Sequence, residues 1–166
     1  MTFDDTALVL VDLMPRIIGL PLAPHSGETV LRNAIRLADA FRERQRPVIA
    51  IRVDRPNVAE QPPGSELNEQ IAERSDVIVV KHSWGAFYGT DLDAELRKRD
   101  IKRIVIAGIA TNMGVESTAR AADDHGYDVT FAEDAMSGLD GDAHRFAVEY
   151  VFAKLGTVTT TDALTG

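Results

Sequence analysis

The sequence predicts a three-layer α/β/α fold, a mostly parallel six-stranded sheet with helices on both faces. Three observations predict it. Short apolar runs of strand length recur along the chain, and segments with helical spacing lie between them. Several of the runs are rich in Val and Ile without polar alternation, as strands buried on both faces require. With 166 residues and 45% hydrophobic content, the chain suits one sizeable core, so residues 1–166 are expected to form one domain.

The strand-like runs are residues 7–11, 48–53, 77–80, 103–107, 129–132 and, more weakly, 157–160. After the first, Val30, Leu31, Ala34, Ile35, Ala38 and Phe41 form a helical stripe, with Arg32, Arg36, Glu43 and Arg44 covering much of the rest. Pro47 is expected to stop that helix and open the second strand. Pro56, Pro62 and Pro63 mark residues 55–64 as a surface loop. A second helix is expected with Thr90 as N-cap, Asp91 and Asp93 in its first turn, and Arg97-Lys98-Arg99 at its end, as the helix dipole favours. A third runs from about Met113 to His125, where Gly126 supplies a left-handed cap. A fourth follows Asp140 and is expected to bury Phe146, Val148 and Tyr150 or Val151.

A formal net charge of -8 argues against nucleic acid and anionic membrane partners, whose fields repel an acidic protein, and leaves a small molecule or a protein. The start, Met1-Thr2-Phe3-Asp4-Asp5, is acidic where a secretory signal is basic, and no apolar run approaches the ~18 residues of a membrane span, so a cytoplasmic protein is expected. The chain has no cysteine, which removes disulfides, thiolate metal sites and a Cys nucleophile together.

In open parallel sheets, ligands bind outside the carboxyl ends of the strands. The residues there are Asp12, Asp54, Lys81, Gly108-Ile109-Ala110-Thr111 and Glu133-Asp134. Asp12 and Lys81, at the ends of strands that are potential neighbours, would enter a partly dry crevice and shift each other's pKa. A structural ion pair and a catalytic pair both fit that position. The turn from Gly108 to Thr118 presents small residues, letting main-chain N–H groups point at a substrate oxygen; a plain strand-to-helix connection capped by Asn112 or Thr111 is the alternative. No phosphate-binding glycine loop follows the first strand, where Asp12-Leu13-Met14-Pro15 stands, and Asp4 and Asp5 precede that strand, against a nucleotide-binding or receiver-like protein.

Val9-Leu10-Val11-Asp12, Lys81 with Phe87-Tyr88-Gly89-Thr90-Asp91-Leu92, and above all Ala110-Thr111-Asn112 with Val115-Glu116-Ser117-Thr118-Ala119-Arg120 resemble the isochorismatase-like hydrolases, which include nicotinamidases, carbamoylsarcosine amidohydrolases and isochorismatases. The resemblance covers nearly the whole chain. It carries Asp12 and Lys81 onto the family's catalytic Asp and Lys, and places Gly114 where the amidohydrolases have their cysteine. It also implies a non-proline cis peptide at Ile109-Ala110, with the amides of Ala110 and Gly114 forming an oxyanion hole, and a homo-oligomer. The family's thioester route is closed here, because the thiol is missing.

Two further departures bear on the pocket. Met14 stands where the family often has Gln, and Asp54 is followed by Arg55-Pro56-Asn57, which supplies none of the histidines that hold the nicotinamidases' metal. His25 and His82 are read as loop or surface residues, so neither a metal nor another cofactor is expected. Met14, Trp84 and Thr111 are assigned to the substrate pocket, Phe87 to anchoring its loop, and Glu116 with Arg120 to an ordinary i,i+4 pair. Ser117 is a further candidate nucleophile, disfavoured because one helical turn separates it from the oxyanion donors.

Isochorismatases work without the cysteine, since vinyl-ether cleavage protonates a carbon and adds water. The resemblance therefore implies a hydrolase of a small, anionic, cyclic or vinyl-ether-like substrate, with Asp12 as general acid/base and Lys81 either holding a substrate carboxylate or tuning Asp12. A non-catalytic small-molecule binder or scaffold that has lost the cysteine is the alternative.

Overall fold

The computed structural model describes residues 3–166, so Met1 and Thr2 of the acidic N-terminus lie outside the described residues. Its centre is a six-stranded sheet of β1 (Thr6–Val11), β2 (Val48–Val53), β3 (Val77–Lys81), β4 (Arg103–Ile109), β5 (Asp128–Ser137) and β6 (Gly156–Thr159). The strand order is β3-β2-β1-β4-β5-β6 and every ladder is parallel. All six residues of β1 are buried because side chains alternate between two apolar layers. Val9 and Val11 join Ile49, Ile51, Ile104 and Ile106 in one core cluster, whereas Leu8 and Leu10 join Val48, Ala50, Val105 and Ala107 in the other.

Helices cover both layers. On the Leu8 side lie α1 (Pro15–Ile18), α2 (Gly27–Glu43), α3 (Glu69–Arg74) and α8 (Thr161–Thr165), with Val30, Leu37, Phe41, Ile71 and Leu164 buried beneath them. The opposite layer holds α4 (Leu92–Arg97), α5 (Glu116–Asp124) and the run formed by α6 (Gly141–Phe146), a π-helical segment Ala147–Phe152 and α7 (Ala153–Leu155). Among the described residues, no helix is long and apolar enough to cross a membrane.

Several local expectations are corrected. The first long helix ends at Glu43, before Pro47, where Gln45 turns left-handed (φ 55°); Pro47 does open the second strand, β2 starting at Val48 and the Pro47 carbonyl accepting the Leu8 amide at 2.9 Å. Asp91, not Thr90, occupies the N-cap of α4, although the Thr90 hydroxyl accepts the Leu92 amide at 3.3 Å. Met113 has non-helical angles (φ -124°, ψ -107°), so α5 starts only at Glu116; Gly126 is left-handed as expected. After Asp140, which caps α6, Val148 and Val151 pack against the core as expected, but Phe146 is exposed and stacks on the exposed Tyr150, while Ala147 and Phe152 are buried. The π-helical segment rotates the register, so the apolar stripe no longer follows a 3.6-residue period.

The order of strands places a topological switch between β1 and β4, where the chain leaves the sheet in opposite directions. The two backbones approach closely there. A Cβ on Gly108 (φ +126°) would lie 2.1 Å from the Val11 carbonyl oxygen. Gly108→Ala is therefore expected to destabilise the fold by about 3 kcal/mol or more, combining left-handed strain with a backbone clash that no rotamer relieves. A urea denaturation midpoint measures it; an unchanged midpoint contradicts this packing.

Candidate active site

Asp12 is the first residue beyond β1 and adopts a left-handed conformation (φ 54°), which Asp tolerates better than most residues. Its amide is still held by the Ile51 carbonyl (2.9 Å), so the reversal happens within one residue and turns the carboxylate into the crevice at the switch point. Lys81 reaches the same point from the end of β3. The two strands are not neighbours, since β2 lies between them, and the long lysine side chain bridges the gap.

The Lys81 ammonium lies 3.0 Å from Asp12 Oδ2 and donates to the carbonyls of Ser83 (3.1 Å) and Trp84 (2.8 Å). An ammonium has three donors, and these three acceptors use all of them. Both side chains are buried, and Asp12 Oδ1 is buried with no hydrogen-bond partner. Burial raises the Asp12 carboxyl above the usual carboxylate range, outweighing the opposing pull of Lys81 and the weaker one of Arg16.

Gly114 completes the group. A Cβ there would sit 3.4 Å from each of Asp12 Oδ2, Lys81 Nζ and the Trp84 carbonyl oxygen, in ordinary contact with all three. Thr118 steadies this turn: its hydroxyl donates to the Gly114 carbonyl (2.7 Å) and accepts the Ala86 amide (3.1 Å), joining the turn to the loop that carries Trp84. The Ile109-Ala110 peptide is cis.

These residues open into a cavity of about 380 Å³ that Ala110, Met113 and Gly114 also line. Its walls are mostly apolar, with Ile17, Leu20, Leu22, Leu139 and the exposed Trp84 around Arg55 and His82. A larger groove of about 570 Å³ lies between Arg42, Arg46, Asp76 and Arg99, at the amino ends of the strands and away from Asp12. The volume at Asp12 suits a small molecule.

The assigned pocket residues divide. Trp84 lines the cavity, but Met14 and Thr111 do not. After the left-handed Asp12, Met14 is extended and its side chain is fully buried in the core beneath α2. Thr111 is also fully buried and its hydroxyl is 2.7 Å from His144 Nδ1. Phe87 is buried and stacks on His125, in keeping with an anchor. Glu116 and Arg120 pair at 3.2 Å. Asp4 and Asp5 pair with Arg46 and Arg103.

The nicotinamidase-type metal position does not fit these residues. Asp54 is ion-paired with Arg52, whose cation would oppose a metal, and His82 directs Nδ1 at the Asp54 carbonyl (3.2 Å). Sequence reasoning missed other parts of the site. The carbonyls that hold Lys81 carry no side-chain signal, and the distant leucines of the wall have no motif. Thr118 stood in the recognised stretch, but its tie to Gly114 depends on the α5 geometry.

A family model described as the isochorismatase domain matches residues 6–163. An uncharacterized isochorismatase family protein of Escherichia coli O157:H7, YecD, is 36% identical over 96% of this chain and 94% of its own. Among solved structures, an isochorismatase family protein from Burkholderia thailandensis superposes with a TM-score of 0.83 at 41% identity, covering 96% of this chain and 93% of that one. The nicotinamidase of Staphylococcus aureus superposes with a TM-score of 0.81 at 25% identity, covering 96% and 99%.

Proposed function

The chain belongs to the isochorismatase family, and on that premise we propose that it hydrolyses a small, anionic, cyclic or vinyl-ether-like substrate by acid/base chemistry at Asp12, without a covalent thioester. The observation that carries this reading is the state of the Asp12 carboxyl. One oxygen is held by Lys81, the other is buried and unpartnered, and burial favours the protonated form. A general acid requires a protonated carboxyl, which burial favours here against the opposing pull of Lys81.

Lys81 acts as a positioning group in this reading, because its three donors are occupied and none is left for a substrate carboxylate. On a vinyl ether, Asp12 delivers its proton to the terminal vinyl carbon. Water adds to the resulting oxocarbenium carbon and returns a proton to Asp12, and the hemiketal then collapses to a carbonyl compound and an alcohol. When the hemiketal collapses, the main-chain amides of Ala110 and Gly114 serve as donors to the alcohol oxygen that departs with developing negative charge, a role that needs no side chain at position 114. The S. aureus relative is a nicotinamidase; the same turn here lacks the nucleophile that amide cleavage through a thioester requires.

A panel of vinyl ethers, amides and ureides incubated with the wild-type protein tests this. Release of a carbonyl product from a vinyl ether is expected, with amides untouched. Thermal stabilisation by ligands without turnover of any substrate would replace the enzyme with a binding protein.

Arg55 is the cation at the pocket wall whose side chain makes no ion pair among the described residues, and in this reading it meets the substrate's negative charge. Arg55→Ala is expected to raise KM about 5-fold with kcat little changed, the equivalent of about 1 kcal/mol for an exposed charge pair. Steady-state kinetics at low and high salt check this, since the difference between the two proteins should shrink as salt screens the charge. An equal KM in both proteins assigns the substrate's charge to another group.

A further inference from the structure

Outside the pocket, three side chains distant in sequence converge. His25 precedes α2, Glu133 lies in β5 and His144 lies in α6. β5 is irregular here: Phe131 pairs with Ile106 and Met136 with Gly108, so extra residues bulge from the ladder between them. That bulge re-aims side chains that a regular strand would point along the sheet. It sends Asp134 to the Thr161 amide and hydroxyl, at 2.7 and 2.8 Å, and Glu133 to the two histidines.

Each histidine Nε2 lies 3.8 Å from Glu133 Oε2, too far for a hydrogen bond, and the ligand atoms of all three residues lie within 4.8 Å of one another. His25 Nε2 is buried without a hydrogen-bond partner. No lysine or arginine pairs with Glu133 among the described residues. The Thr111 hydroxyl engages Nδ1 of the buried His144, leaving its Nε2 for the cluster. Such a bond on the far ring nitrogen is what fixes the orientation of metal-binding histidines. The backbone of His25 is equally fixed: its amide donates to Ser137 Oγ (3.1 Å), whose hydroxyl donates to the His25 carbonyl (2.7 Å).

We propose that His25, Glu133 and His144 form a three-ligand site for a divalent transition-metal ion of the zinc class, with a further position open to water. Two imidazoles and one carboxylate select such an ion over magnesium or calcium, which prefer oxygen ligands. Bonds of about 2.0–2.1 Å at tetrahedral angles require ligand atoms roughly 3.4 Å apart, so the set must close slightly around the ion. The part-exposed side chains of His25 and Glu133 are free to do so, while His144 stays fixed. The ion would join the entry to α2, the β5 bulge and α6. Through Thr111 it also meets the turn leading to Gly114. None of the three ligands lines the Asp12 pocket, so the site stands apart from the reaction proposed there.

The full chain, stripped with a chelator and dialysed against Zn²⁺, is expected to retain one ion per chain by elemental analysis and to melt at a higher temperature. Co²⁺ in its place is expected to give the visible absorption of a low-coordinate site. His25→Ala and Glu133→Gln, each checked for native circular dichroism, are expected to weaken Zn²⁺ affinity at least about 100-fold. Substoichiometric retention by the wild type, or affinity unchanged in both folded variants, overturns the proposal. The buried His144 is left intact, so loss of binding reports the ligand set and not the core.

Discussion

Asp12→Asn is expected to lower turnover of the proposed substrate by about 10²–10⁴-fold, the range contributed by a positioned acid or base. The amide keeps the shape of the carboxyl and an acceptor for Lys81, but carries no transferable proton. Stability is a separate effect. Removing one partner of a buried ion pair costs about 3–5 kcal/mol when the remaining charge is left bare. Here the Ser83 and Trp84 carbonyls still hold the ammonium, so a smaller loss is expected and a melting curve run beside the kinetics separates the two. The pH dependence follows from the direction of the shift. Burial raises the Asp12 carboxyl, so the donor is protonated at low pH, and kcat/KM is expected to fall as pH rises through that raised value. The folded chain also holds this proton to higher pH than the unfolded chain does. The stability associated with protonated Asp12 is therefore full below the ordinary carboxylate value and lost as pH rises through the raised one. Both dependences should vanish in Asp12→Asn; a variant with wild-type turnover removes Asp12 from the mechanism.

The parts of this site that were legible in sequence are those set by position along a strand. Uninterrupted Val and Ile runs mark strands buried on both faces, and a chain reversal after such a strand brings Asp12 and Lys81 to one end of the sheet. What was not legible depends on rotation about single residues or on order across the sheet. Its position two residues after Asp12 places Met14 at the pocket in sequence, but one left-handed residue turns its side chain into the core. Sequence position offers Thr111 as a pocket or cap residue, and the buried His144 ring claims it instead. Helical spacing places Phe146 in the core and leaves Tyr150 and Val151 as alternatives; Phe146 and Tyr150 are exposed and Val151 packs against the core, because a π-helical segment shifts the phase. The histidine and glutamate cluster had no spacing signal at all, since its members are joined only through a bulge in β5 and the loop before α2.

Gly114→Cys is expected to raise amidase activity above that of the wild type, because a side chain added at this glycine enters between Asp12 and Lys81. No left-handed backbone strain stands in the way, and the added Cβ makes contacts of 3.4 Å, close but within the ordinary range. Two of those contacts are Lys81 Nζ and Asp12 Oδ2, so the sulfur, one bond further out, enters beside an ammonium and a carboxyl. An adjacent cation lowers a thiol pKa and favours the thiolate. The carboxyl then takes and returns the proton needed for thioester formation and hydrolysis. Against simple amides, a gain of about 100-fold over the wild-type background is expected, equivalent to about 2.7 kcal/mol of transition-state stabilisation. Rapid alkylation of the introduced thiol by iodoacetamide at neutral pH should accompany it, and Lys81→Met in the same background should slow that alkylation. Equal amidase activity in the wild type would mean that amide cleavage here does not need a nucleophile at position 114. A slowly alkylated thiol without activity would mean that Lys81 and Asp12 do not activate that position, and the vinyl-ether chemistry would then have to stand on Asp12 alone.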